Sequence, residues 1–179
     1  MANSVYISLL EDGVKAWNRW REDNKEARPD LREINLSNKQ LQGVNFRDVD
    51  LTGAVLEKAE LANASFSLAD LTDARLAGAN LSRSILSNST LRGADLTGCN
   101  LYSANLRGAD LSKAKLIGSN LSGADLSKAN LSGADLTDAR LWMKYFGKMP
   151  VAILNKTVLQ GAILNKVDTS MVDISKAIR

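Results

Sequence analysis

One residue type recurs at every fifth position through most of this 179-residue chain. From Leu31 to Leu141, 23 consecutive positions in steps of five hold leucine, except for phenylalanine at Phe46 and Phe66. Five residues rotate an α-helix by about 500°, or 140° net, so the spacing cannot keep the leucines on one helix face. A straight strand fails as well, because an odd step turns the side chain to the opposite face. The spacing therefore predicts a solenoid of short extended segments and turns, with every leucine directed at one axis.

A second position of the repeat is restricted to small side chains. In 18 successive repeats from Ala54 to Ala139, the residue two before the leucine is alanine, serine or, once, Cys99. We expect this residue to point inward too, where the coil is too narrow for more. Cys99 is then a buried filler and not a nucleophile. Nine glycines of the regular register stand two residues after a leucine, and we expect them at turns that require positive φ.

The unit Ala-Asp-Leu, present at 94–96, 124–126 and 134–136, resembles the signature of the pentapeptide repeat proteins. The resemblance covers residues 29–141 without a break. The segment that precedes it, with Trp17 and Trp20, is similar to that of many bacterial, notably cyanobacterial, members. The resemblance implies an all-β solenoid, the right-handed quadrilateral β-helix, in which four pentapeptides make one coil of twenty residues.

Several side chains are spaced as a twenty-residue coil requires. Phe46 and Phe66 are twenty apart and would stack. Two polar rows would each share a face: Asp30, Asp50, Asp70 and Asp110, and Asn80, Asn100 and Asn120. The acidic row has two interpretations. It is either an acidic stripe for a basic partner or, as we favour, a set of carboxylates bonded locally to turn backbone.

The remaining segments lie outside the regular register. Residues 1–28 predict an N-terminal helical cap, in which Leu9, Leu10, Val14, Trp17 and Trp20 form one apolar face over the open end of the core.

Residues 142–150 predict an aromatic-rich inserted loop, because the leucine register resumes at Leu154 with about eight extra residues. Residues 151–179 predict a final coil and a C-terminal cap. The last part, 168–179, is either more coil or a short amphipathic helix, and the sequence slightly favours a helical or irregular cap.

Composition narrows the possible functions. The chain has no histidine, which removes the commonest general base and metal ligand, and we expect no catalytic residues, no metal and no cofactor. One cysteine excludes an internal disulfide and favours the cytoplasm. No apolar run is long enough for a membrane span, and the N-terminus does not resemble a signal peptide.

We therefore expect a non-enzymatic scaffold that binds an unknown protein partner, and no small-molecule substrate. The candidate interaction surface consists of Tyr102, Trp142, Met143, Tyr145, Phe146 and Met149. The alternative, taken from some relatives, is a DNA mimic that modulates a type II topoisomerase. It is disfavoured because residues 29–141 carry a net charge of only −1 and residues 142–179 carry +4. The spread of the basic residues argues against a nucleic-acid or membrane site, and the chain is expected to be a monomer or an end-to-end homodimer.

Overall fold

The computed structural model describes residues 4–143 and 150–178, and the repeats form a right-handed, four-sided β-helix. The repeats pair through isolated parallel bridges between residues twenty apart, such as Asp30 with Asp50 and Asp50 with Asp70. With five residues on each side, twenty residues make one coil of four sides. The period expected from the spacing of the phenylalanines and aspartates is therefore confirmed.

Each pentapeptide contains one tight turn, illustrated by Leu51 to Ala54. The carbonyl of Leu51 accepts the N–H of Ala54 at 2.9 Å, and Gly53 has φ 65°. A positive φ at the third residue is the mark of a type II turn. The N–H of Leu51 donates to Asp70 of the next coil at 2.7 Å, and that of Gly53 donates to Thr72 at 2.9 Å. The hydrogen bonds of the turn and those between coils together pair backbone N–H and C=O groups that the isolated bridges alone would leave unpaired.

Positive φ is a property of the turn position and not of glycine. Among the described residues, fifteen that are not glycine adopt it, including Asn63, Lys113 and Leu68 with φ 63°. The glycines of the register adopt positive φ as expected, and the same turn position imposes it where another residue stands there. The coil geometry imposes the turn, so other side chains accept a local cost of about 1–2 kcal/mol.

The axis is filled as the two inward positions predict. Leu106 and Ala94 are completely buried, and the rings of Phe46 and Phe66 stack with centroids 5.6 Å apart. The Cys99 thiol donates to the carbonyl of Leu76 at 2.9 Å, and burial raises its pKa to about 12. Cys99 is a core side chain in this structure.

Two helices, not one, precede the coils. Helix α1 spans Ser4–Glu11 and helix α2 spans Val14–Asp23. They are separated at Gly13, whose φ is 96° and whose N–H donates to the carbonyl of Leu10 at 3.0 Å. The continuous apolar face of the sequence does not reveal this break, because residues on both sides of it pack on the same core.

An insertion separates the regular coils from the last one. Bridges beyond it join residues 28 apart, such as Asp125 with Ile153, so eight residues are added to the coil. Trp142 and Val151 form an antiparallel bridge at its base. The predicted site residues Tyr145, Phe146 and Met149 lie outside the described residues.

The end of the chain continues the coil and also contains a helical turn. Ile178 forms a parallel bridge with Val158, twenty residues earlier, and accepts the N–H of Leu159 at 2.8 Å. A 3-10 helix spans Ile174–Lys176, with Asp173 as its N-cap. The segment therefore contains both alternatives: irregular backbone with a helical turn over residues 168–177, and a return to coil stacking at Ile178.

Candidate interaction surface

Two of the predicted site residues, Tyr102 and Met143, lie together. With Arg83, Asn100 and Asn120 they line a shallow depression of about 280 Å³, which we call the Tyr102 depression. Tyr102 follows Leu101 directly in the chain, a turn position from which side chains point outward, and it is half-buried. The coil register places Ser122 and Trp142 in the same column.

A ladder of asparagines forms one wall of this depression. The Oδ1 atoms of Asn80, Asn100 and Asn120 each accept the backbone N–H two residues later, at 3.2 Å. The amide of Asn120 donates to Asn100, and that of Asn100 to Asn80, each at 3.3 Å. The amide of Asn80 donates to the carboxylate of Glu60 at 2.8 Å. The row is thus fixed both to its own turns and along the coil axis.

The same local bonding holds the acidic row. The carboxylates of Asp50 and Asp70 accept the N–H and the hydroxyl of the threonine two residues later. Arg32 donates to Asp30 at 2.7 Å, and this bond lowers the pKa of Asp30 to about 2. The Nε of Arg32 lies 3.8 Å from the carboxylate of Asp50. Local turn bonding therefore accounts for the aspartates at these positions.

Trp142 does not join Tyr102 in one depression. It is half-buried against the core and lines a separate depression of about 250 Å³ that includes Arg140 and Asp168. The chain at the base of the insertion crosses the column near Gly123, where an added Cβ would lie 3.1 Å from the Cβ of Pro150. The insertion therefore begins and ends against the side that carries Tyr102.

The predicted cap residues cover the first coil. Trp17 is completely buried, its ring lies 5.7 Å from that of Phe46, and its Nε1 donates to the carbonyl of Asn45 at 2.7 Å. Val14 and Trp20 are half-buried against the same core. These contacts explain the tryptophans as packing residues.

Sequence reasoning missed two polar residues that attach the cap. Arg21 is 2% exposed and donates to the carbonyls of Ala27 at 2.7 Å and Arg47 at 2.6 Å. Burial lowers the pKa of its guanidinium. The amide of Asn18 donates to Gly43 and accepts the N–H of Asn45. The position of Arg21 four residues after Trp17, on the apolar face, was the available signal.

Comparison with known proteins gives one family. The sequence profile described as pentapeptide repeats matches residues 30–67, 64–102 and 104–142, with eight copies. None of the curated protein sequences matches the chain. No helix among the described residues is long and apolar enough to cross a lipid bilayer.

Solved structures resemble this fold. HetL, a pentapeptide repeat protein involved in heterocyst differentiation regulation in the cyanobacterium Nostoc, is 33% identical with a TM-score of 0.50; the similarity covers 79% of this chain and 73% of HetL. Rfr23 from the cyanobacterium Cyanothece is 24% identical, with 90% and 96% covered and a TM-score of 0.45. The plasmid-mediated fluoroquinolone resistance protein QnrB1 is 21% identical, with 85% and 82% covered and a TM-score of 0.40.

Proposed function

Because this chain belongs to the pentapeptide repeat family, with a coil interior filled by its own side chains, we propose that it is a non-catalytic scaffold for protein–protein interaction. The observation that carries the proposal is the Tyr102 depression, which places Tyr102 and Met143 together at the base of an insertion. Tyrosine and methionine are enriched in protein interfaces.

The distribution of aromatic residues supports this surface over the others. Five of the nine aromatic residues stack in the cap and the first coils, from Tyr6 through Trp17 to Phe66. Two more lie outside the described residues, which leaves Tyr102 and Trp142. Neither is needed to close the N-terminal end, and both lie on the side from which the insertion departs.

A pull-down with the tagged full chain from its source cell tests the proposal. A Tyr102→Ala/Met143→Ala double variant is expected to lose at least nine-tenths of the recovered partner, as is a variant with residues 144–149 replaced by a short glycine linker. Leu68→Ala is the matched control, because Leu68 is an exposed apolar residue elsewhere on the coil. Unchanged recovery with both site variants, at unchanged thermal stability, contradicts the proposed surface.

One assay distinguishes the DNA-mimic alternative, which acts on a type II topoisomerase, from the proposed scaffold. Arg32 donates to Asp30 and lies near Asp50, so the acidic row is partly neutralised at its N-terminal end. We expect no inhibition of DNA supercoiling by a type II topoisomerase at micromolar protein, and inhibition there would favour the alternative.

Both oligomeric states stay open as proposals. Ile163 is 49% exposed on the coil after the insertion, and Ile178, which stacks on that coil through Val158, is 53% exposed. Leu159, Leu164 and Ile174 line a depression of about 300 Å³ at this end. An end-to-end homodimer would cover these groups. Light scattering of the wild type and of Ile163→Glu distinguishes a dimer that dissociates from a monomer that does not change.

A cytoplasmic location is part of the proposal. Cys99 stabilises the core as a free thiol, the form that a reducing compartment maintains.

A further inference from the structure

We propose that the Tyr102 depression binds an aspartate or glutamate side chain of the protein partner, flanked in the partner by an apolar residue. This inference rests on the proposed scaffold function and specifies the chemistry of the partner at the same surface. It follows from the hydrogen-bonding groups that the depression presents.

The asparagine ladder presents two N–H donors, and of its three side-chain oxygens only that of Asn120, which accepts from Ser122 alone, can accept a further hydrogen bond. A backbone N–H can bond only to the oxygen of an amide, so the bonds from Tyr102 and Ser122 fix the orientation of Asn100 and Asn120. The oxygen of Asn100 also accepts from Asn120. Each of the two amides donates one hydrogen along the ladder, and its second hydrogen has no acceptor among residues 4–143 and 150–178. Two N–H donors therefore remain for a ligand.

Arg83 adds a positive charge that the described part of the chain does not neutralise. Arg32, Arg75 and Arg107 each lie within 4.0 Å of a carboxylate, whereas Arg83 has no such partner among the described residues. Its backbone N–H donates to the carbonyl of Tyr102 at 2.8 Å, so the two residues lie on adjacent coils. None of the five lining residues is acidic. A carboxylate matches this combination of a guanidinium and amide donors.

The ladder already binds a carboxylate at its other end. The amide of Asn80 donates to Glu60 at 2.8 Å, shorter than the 3.3 Å bonds between the asparagines. Tyr102 and Met143 line the same depression, and they offer apolar surface for the residue beside the partner's carboxylate.

A pair of isosteric small molecules tests this chemistry without a known partner. The full chain, isotope-labelled for NMR, is titrated with 3-phenylpropionate and separately with 3-phenylpropionamide. We expect saturable shifts of the Arg83 and Tyr102 amide signals with the carboxylate, and binding of the neutral amide at least five-fold weaker. The shifts should decrease as sodium chloride is raised, because the site is exposed to solvent.

Variants assign the effect to named residues. Arg83→Gln is expected to weaken carboxylate binding at least five-fold, while Arg92→Gln, an arginine on another side of the coil without a described carboxylate partner, should leave it unchanged. Equal binding of carboxylate and amide, or unchanged binding by Arg83→Gln, overturns this inference.

The two proposals fail in different ways. If the Tyr102→Ala/Met143→Ala variant loses its partner while Arg83→Gln keeps it, the scaffold surface stands and the carboxylate inference is wrong. If the double variant keeps the partner, the scaffold surface itself is wrong and the carboxylate inference is overturned with it.

Discussion

The two ends of the coil stack are closed to different degrees. At the N-terminal end, α2 covers the first coil, Trp17 is completely buried, and Asn18 and Arg21 bond to the backbone of that coil. At the C-terminal end, Leu159 and Leu164 are only half-buried. The backbone N–H groups of Gly161, Leu164 and Lys166 have no backbone acceptor within residues 4–143 and 150–178.

The difference shows what a cap must supply to a β-helix. Apolar cover is one part, and the other is a set of partners for the hydrogen-bonding groups that the next coil would have provided. The N-terminal helix supplies both, because its indole, amide and guanidinium groups reach coil carbonyls. The last described coil receives apolar cover from Val172 and Ile174 but keeps open donors.

The largest expected effect that tests this comparison is Trp17→Ala. Removal of a fully buried indole is expected to cost about 3–5 kcal/mol in the free energy of unfolding. Trp142→Ala, at the other end and half-buried, should cost only about 1–2 kcal/mol. Denaturant unfolding of both variants measures the difference, and Trp17→Phe serves where the alanine variant is too unstable. Equal losses at the two positions would contradict the idea that only one end is closed.

A matched pair of leucines measures the same contrast inside the coils. Leu31→Ala in the first coil is expected to cost about 2–5 kcal/mol, because it leaves a cavity beneath a closed cap. Leu164→Ala in the last coil should cost about 1–2 kcal/mol, since that side chain already contacts water. Thermal melts compare the two, and a larger loss at Leu164 would mean that the C-terminal end is covered in solution.

Two glycines with similar positive φ allow a position beneath the insertion to be compared with a position elsewhere on the coil. Gly118→Ala, with φ 64° and nothing near the added Cβ, should cost about 1–2 kcal/mol. Gly123→Ala should cost about 1 kcal/mol more, because its Cβ would lie 3.1 Å from Pro150 and from Ser103. The two are compared by denaturant unfolding. No excess loss at Gly123 would show that the base of the insertion does not rest there.

The smallest expected effect is a pH dependence at the N-terminal edge. The hydrogen bond from Arg32 lowers the pKa of Asp30 to about 2 from an ordinary value near 3.8. A lowered pKa stabilises the fold above the ordinary value, and this stabilisation is lost as pH falls from about 4 towards 2. Asp30→Asn and Arg32→Gln should each flatten the stability profile in that window. Stability profiles that match the wild type would show that the Asp30–Arg32 pair does not stabilise this end.

Much of the coil could be predicted because each residue's environment repeats. The leucine register identifies the inward side chains, and the spacing of Phe46 and Phe66 agrees with the coil length. The conformation of Leu68 could not be read from the sequence, since its positive φ comes from the turn that the coil imposes. The break at Gly13 was hidden for the same kind of reason, because both helices face one core.

The candidate site was predictable only in part. Tyr102 stood out as a large side chain on an outward position and Met143 as part of the predicted insertion, but the register does not tell whether the two share a depression. The roles of Asn100 and Arg83 depend on hydrogen bonds between coils, which link residues twenty apart. Arg21 was missed because a charged residue near Trp17 is expected to be solvent-exposed, and the carbonyls that accept from its two terminal nitrogens come from Ala27 and from Arg47 of the first coil.

The eight-residue insertion between Leu141 and Leu154 leaves the coils on both sides of it in register. In a β-helix of this kind, the coil that contains a side chain sets its position along the axis. The side of the coil on which it lies sets the direction in which it points. The eight added residues leave the later coil paired with the earlier one, as between Asp125 and Ile153. Side chains on different coils therefore stay separated along the axis by multiples of the strand spacing, about 4.8 Å, even where an insertion lies between them.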